Sequence, residues 1–244
     1  MIKVSYEKLD KLRYLFNDIR FYMGNSVLDG KMGQAYTNDI ENPTFAFLLV
    51  RSYCFMSGNI DKIQLNRVID KYNLKEYIII PDDNVKLILE SEYKDINKFQ
   101  RHSIKKDPKF DINVLKKHIN NSDKQYDFIK IDNKIANRIK EEAFIRITDD
   151  YNNYGMGYCC MYNDIIIGVA SSNIFYNDGI EVNIKVKEDY RRKGIATTLA
   201  SLLILNCIKE NKKISWDAAN LNSVGLAKKL GFEYDSEYDC YKLT

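Results

Sequence analysis

A chain of 244 residues, 45% hydrophobic and 12% aromatic, carries enough apolar side chains for a packed core, which excludes wholesale disorder. Its 37 basic and 34 acidic residues leave a formal charge of +3, too balanced for a dedicated nucleic-acid binder. No apolar run reaches membrane length, the N-terminus lacks a signal-type core, and five cysteines without metal-ligand spacing fit reduced thiols. A soluble, cytoplasmic protein with no metal, membrane or nucleic-acid partner is therefore expected.

In chain order, residues 6–23 read as an amphipathic helix, with Leu9, Leu12, Leu15, Phe16 and Ile19 on one stripe. Residues 45–56 form a long apolar strand that reaches a turn at Ser57-Gly58-Asn59. Helical spacing returns over 60–72 through Ile63, Leu65, Val68 and Ile69. Residues 77–80 are a buried-type strand stopped by Pro81-Asp82-Asp83. Residues 86–93 fit a helix or a strand, 99–105 a strand, and 114–119 a short helix after Pro108. His102 and His118, the two histidines, have no cysteine or carboxylate constellation beside them in sequence and are expected in surface or core roles.

A polar cluster at 120–124 marks the expected boundary between a mixed α/β unit, 1–122, and a second domain, 123–244. There follow a strand at 128–131, a helix at 133–145, a polar loop at 149–153 and a strand at 157–162. A tight turn at Asn163-Asp164 leads into a strand at 165–175 containing Gly168, and a second turn at Asn177-Asp178-Gly179 leads into the next. Over 179–186, Ile180, Val182, Ile184 and Val186 alternate with Glu181, Asn183 and Lys185, placing Glu181 on the polar face. A charged loop ending in Arg191, Arg192, Lys193 and Gly194 opens a helix that runs through Ile195, Leu199, Leu203 and Cys207 to about residue 212. A strand at 213–218, a helix at 222–230 and strand structure over 232–243 close the chain.

A strand feeding a cationic turn that opens a helix is suited to polyphosphate, because the first N–H groups of a helix are unpaired and its dipole favours an anion. The turn has neither GxxxxGK[ST] nor GxGxxG spacing. Its Arg191-x-x-Gly194-x-Ala196 resembles [QR]-x-x-G-x-[GA], the acetyl-CoA signature of the GNAT superfamily. The element order after residue 123 is similar to that family's, and so is the ending Asn220-x-x-Ser223 with Leu230-Gly231-Phe232. With its divergent first half, the chain is similar to bacterial GNAT acetyltransferases of the zwittermicin A resistance type.

The resemblance implies an α/β (α+β) fold: a C-terminal GNAT fold with a mixed, mostly antiparallel sheet flanked by helices, beside an N-terminal mixed α/β unit. Strand, hairpin turn, strand, helix and strand recur in that unit, an order expected of a degenerate GNAT-like half. It implies acetyl-CoA as co-substrate and no metal. Ile184 and Val186 are then expected to pair with the pantetheine arm. Arg191, Arg192, Lys193, Gly194, Ile195, Ala196 and Thr197 are expected around the pyrophosphate, with Asn220 and Ser223 completing the cofactor site.

For catalysis, the resemblance implies Glu181 as general base acting through water. The family usually places a tyrosine four residues before the glycine of the LGF ending. Ala227 stands there, so either another tyrosine (Tyr234, Tyr238 or Tyr241, with Tyr238 chosen) or solvent protonates the leaving thiolate. An acyl-enzyme route through Cys159, Cys160 or Cys240 lacks a base nearby in sequence. The expected activity moves an acetyl group to a primary amine of a small molecule, a metabolite or antibiotic, by direct attack in a ternary complex. A peptide or protein acetyltransferase and a non-catalytic acyl-CoA-binding protein stand as alternatives. Monomer and homodimer both fit.

Overall fold

The structure, a computed structural model, describes residues 1–17, 22–147 and 151–243. The chain folds into two compact units, Met1–Arg101 with Glu237–Thr244, and His102–Ser236.

In the first unit the chain runs β1 (Ile2–Lys3), a 3-10 helix (Tyr6–Phe16), α1 (Tyr22–Leu28), β2 (Gln34–Thr37), β3 (Phe45–Val50), β4 (Tyr53–Gly58), α2 (Lys62–Lys71), β5 (Ile78–Pro81) and α3 (Asp83–Glu92). Strands β1 to β4 pair successively antiparallel, and β5 joins β4 in parallel from Tyr53↔Ile78 to Met56↔Pro81. Phe45, Phe47, Met56, Leu65, Ile69, Ile79 and Leu89 form its sealed core. Strands buried on both faces read as continuous apolar runs.

The long strand expected over 45–56 is a hairpin. Its turn at Arg51-Ser52 places Arg51 at φ 55 without the glycine, asparagine or aspartate that usually announces a left-handed residue. The ambiguous segment 86–93 is helical, because Asp82 caps α3 by accepting from Val85 N at 2.9 Å. The expected helix at 6–23 is 3-10 in its first part and buries Leu9, Leu12 and Phe16. Ile19 from that stripe lies outside the described residues, as do positions 149 and 150 of the expected polar loop; Tyr151–Tyr154 is a short helix.

The chain enters the second unit within β6 (Asn97–Ile104) and leaves it within β13 (Tyr234–Lys242). Between them come α4 (Ile112–Asn120), β7 (Asp127–Lys130), α5 (Asn133–Glu141), α6 (Tyr151–Tyr154), β8 (Gly157–Tyr162), β9 (Ile165–Tyr176), β10 (Gly179–Val186), a 3-10 turn (Glu188–Tyr190) and α7 (Ile195–Lys209). The remainder is β11 (Lys213–Ser215), β12 (Asp217–Ala218) and α8 (Leu221–Lys229). The sheet order is β11-β10-β9-β8-β7, antiparallel throughout except for the parallel β10–β11 pair.

Helix α7 lies across this sheet and buries Ile195, Leu199, Leu203, Ile204 and Cys207. Gly168 permits the close approach, since a Cβ there would sit 2.9 Å from Ile195 Cγ2 and 3.0 Å from Leu199 Cδ1. Helix α4 packs against α7, with Thr198 Oγ1 donating to the His118 carbonyl at 3.5 Å. Residues 102–122 thus fold with the second unit, and the polar cluster 120–124 lies inside it.

Candidate functional site

Strands β10 and β11 pair in parallel for three residues only, Gly179↔Lys213, Ile180↔Ile214 and Glu181↔Ser215, and then part. The single strand expected over 213–218 is broken at Trp216. Beyond the break, β12 pairs antiparallel with β6 through Asp217↔Ser103 and Ala218↔His102. Trp216 is buried at the branch, its ring 5.4 Å from that of Phe232 and its Nε1 donating to Ser223 Oγ at 3.0 Å.

Past the fork, β10 continues to Val186 with only β9 beside it. Lys187 N donates to Ile167 O at 2.8 Å, so in an antiparallel ladder the backbone groups of the odd positions face β9. Those of Ile184 and Val186 face the edge that β11 has left. An edge of unpaired amides can receive an extended ligand as an added strand.

Glu181 sits at the branch itself. The alternation placed it on a polar face, but a register shift between Glu181 and Val182 interrupts the ladder, and its side chain is buried. The Ser215 hydroxyl donates to Oε2, and Asp217 N donates to Oε1 at 2.7 Å.

The turn after β10 lies at the end of this edge. Arg192 and Gly194 both take left-handed conformations, φ 62 and 80. A Cβ on Gly194 would meet nothing within 4 Å, so the space above the turn is open. No side chain caps α7, which leaves the first-turn amides of Ile195, Ala196 and Thr197 without helical partners. Arg191 is exposed and loosely paired with Glu188 at 3.3 Å, while Arg192 and Lys193 are exposed. Beneath the turn, Tyr190 packs against Tyr126 and Tyr162, with ring centroids 6.4 and 6.0 Å away, and Lys193 Nζ lies 5.1 Å from its ring. This tyrosine pedestal, contributed by residues far apart in sequence, had no local signal.

Asn220 caps α8, its side chain accepting from Ser223 N at 3.0 Å. The helix closes with Phe232 N bonding to Ala227 O at 3.1 Å and Gly231 N to Lys228 O at 3.1 Å, Gly231 being left-handed at φ 102. That pair of bonds is a Schellman motif. Ala227 is fully buried, so the position expected to hold a tyrosine faces the interior.

No single unit holds both residues chosen for catalysis. Glu181 belongs to the second unit, whereas Tyr238 lies on the part of β13 that folds with the first. There Tyr238 lines a cleft of about 570 Å³ with Phe16, Met56, Asp82, Lys86 and Asp239. Tyr241 is buried in the same unit and donates to Glu90 at 2.6 Å; burial, then that hydrogen bond, raise its pKa. Tyr234 lies in the second unit, under Lys228 Nζ at 5.2 Å.

All five cysteines are free and buried. Burial pushes the thiols of Cys159 and Cys160 up to about 12, which disfavours the thiolate that an acyl-enzyme route through either would require. His102 is buried and His118 half-buried. Among the described residues, no group of three or more His, Cys, Asp or Glu is arranged to hold a metal ion, and no helix is long and apolar enough to cross a membrane.

Comparison with known proteins agrees with this geometry. A family model described as GNAT acetyltransferase matches residues 13–241. The crystal structure of a GCN5-related N-acetyltransferase-like protein from Streptococcus suis 89/1591 superposes with a TM-score of 0.87 at 29% identity, covering 98% of this chain and 99% of that one. A GCN5-related N-acetyltransferase from Kribbella flavida shares the fold at a TM-score of 0.60 and 7% identity, covering 99% of this chain and 96% of its own. A Bacillus subtilis (strain 168) protein named as the uncharacterized N-acetyltransferase YdfB is 28% identical over 96 residues; the match spans 38% of this chain and 37% of that protein.

Proposed function

The chain belongs to the GNAT acetyltransferase family, and from that premise we propose that it transfers an acetyl group from acetyl-CoA to a primary amine of a small molecule. One observation carries the cofactor assignment: the open edge of β10 runs directly into an uncapped helix N-terminus flanked by three cations. The edge suits an extended amide-bearing arm, and the turn suits a pyrophosphate at its end.

The backbone N–H groups of Ile184 and Val186 would hold the arm and face the thioester oxygen, stabilising the negative charge that develops there. Amides of Gly194, Ile195, Ala196 and Thr197, with Arg191, Arg192 and Lys193, would hold the pyrophosphate. Asn220 and Ser223 would act indirectly, by fixing α8 and Trp216 beside the fork. Acetyl-CoA supplies an acyl group already activated as a thioester. A neutral amine attacks the thioester carbonyl directly in a ternary complex, the C–S bond breaks, and one of the two protons on the nitrogen passes to solvent. The departing thiolate is protonated by water, since a thiol titrates at about 8.5 and needs no dedicated acid near neutral pH.

A second reading, acyl-CoA binding without transfer, is favoured by buried Ala227 at the position where the family usually has a tyrosine. Release of free CoA, followed with a thiol reagent over a panel of small amines and N-terminal peptides, separates the possibilities. Release that depends on a small amine supports the proposal. Release with peptides alone moves the acceptor class, and binding without release under any acceptor supports the second reading.

A further inference from the structure

We propose that Glu181 is a positioning residue that keeps the fork open, rather than the base that deprotonates the amine. The inference rests on the acetyl-CoA reading above. If the parallel register Glu181↔Ser215 continued, Asn183 would face Asp217, and the outgoing strand would cover the edge carrying Ile184 and Val186. What stops it is chemical. The N–H that the departing strand exposes first, that of Asp217, is taken by Glu181 Oε1 at 2.7 Å. The other oxygen accepts from the Ser215 hydroxyl, whose Oγ also lies 3.1 Å from Ile180 O. A backbone donor satisfied by a side chain has no need of the neighbouring strand, and an unpaired one is costly to leave in a closed environment. Both oxygens of Glu181 are thus committed to holding the branch, in a buried site.

The first unit has a parallel pair without such a branch. Strands β4 and β5 run parallel from Tyr53↔Ile78 to Met56↔Pro81, and Asp82 N extends the ladder by donating to Met56 O at 2.9 Å. Asp82 Oδ2 accepts from Gly58 N at 2.6 Å, where β4 ends. No length of β4 continues past this pair as β10 does past the fork, so one acetyl-CoA is expected, at the fork of the second unit.

The two roles for Glu181 separate on its amide variant. In Glu181→Gln the carbonyl oxygen can still accept from Asp217 N, and the new NH2 can donate to Ser215 Oγ while the serine proton turns to Ile180 O. The fork survives, but a base does not. Glu181→Ala removes both.

The full chain and these two variants would be titrated with acetyl-CoA in a calorimeter. Hydrogen exchange of the Asp217 amide and pH–rate profiles complete the set. Expected are an affinity and turnover for Glu181→Gln within about threefold of wild type, with an unchanged pH profile. For Glu181→Ala, affinity falls about tenfold or more and the Asp217 amide loses protection. Asp82→Asn should leave acetyl-CoA affinity unchanged.

Wild-type affinity in folded Glu181→Ala overturns the inference. So does a loss of about 10² or more in turnover of Glu181→Gln with its affinity intact, the signature of a general base. Should Glu181→Ala fail to fold, Ser215→Ala applies the test to the partner: weakened affinity supports the inference and wild-type affinity overturns it. If the wild-type chain binds no acetyl-CoA, the functional reading fails instead, and the exchange of Asp217 in Glu181→Gln against Glu181→Ala still decides whether Glu181 holds the fork.

Discussion

Glu181 and Asp217 stand on two strands that have just separated, and the Asp217 N–H donates to the Glu181 carboxylate at 2.7 Å where a ladder hydrogen bond would otherwise form. The relationship joins sequence to function through one branch. A carboxylate thirty-six positions away in the chain ends a parallel pairing after three residues, and the edge it uncovers leads into the cationic turn at Gly194.

With Glu181 committed to the branch, no carboxylate is assigned to deprotonate the amine. A primary amine titrating near 10 is then charged at neutral pH, and only its neutral fraction reacts. The rate kcat/KM should rise about tenfold per pH unit between roughly 7 and 9. Steady-state rates across that range test this. A plateau beginning near pH 7 would reveal a base on the protein.

Tyr238 lines the cleft of the first unit beside Asp82 and Lys86. With the thiolate protonated by water, Tyr238→Phe should change kcat by less than about threefold, against the roughly 10²- to 10⁴-fold that a positioned acid contributes. Turnover at saturating acetyl-CoA measures the difference. A hundredfold loss would restore Tyr238 as the proton donor.

Burial pushes the Asp239 carboxyl up, but Lys86 at 2.6 Å and Lys98 at 3.1 Å more than offset it, so it titrates below the ordinary aspartate range. A depressed carboxylate stabilises the fold above its unfolded pKa and loses that contribution as pH falls through its folded value. Lys86→Met should therefore cost about 1 kcal/mol at pH 7, since the pair is only partly shielded from water. The difference from wild type should shrink as Asp239 protonates, below about pH 4. Urea unfolding at pH 7 and pH 3 checks the sign. An equal loss at both would assign the effect to the packing of the lysine stem.

What could be read in the sequence was what is set locally. The alternation of β10, the uncapped start of α7 and the Gly231 ending each depend on residues within one turn or one strand. Arg191-x-x-Gly194-x-Ala196 was legible for that reason. The break at Trp216 was not, because the chain is extended on both sides of it and only the partners change, from β10 to β6. Glu181 was read on a polar face and is buried instead, because a one-residue shift in pairing with β9 cannot be seen in β10 alone. The hairpin at Arg51 carries no local signal because its left-handed residue is an arginine, not the glycine, asparagine or aspartate that usually marks such a turn.

The most direct test of the account is a calorimetric titration of the full chain with acetyl-CoA, repeated on Gly194→Val. The account predicts one site per chain and a rise in thermal midpoint, about 2.7 kcal/mol of added stability at one hundred times the dissociation constant. Both should be lost when a branched side chain fills the open space above the turn. Neither heat nor a shift from the wild-type chain at millimolar acetyl-CoA would contradict it.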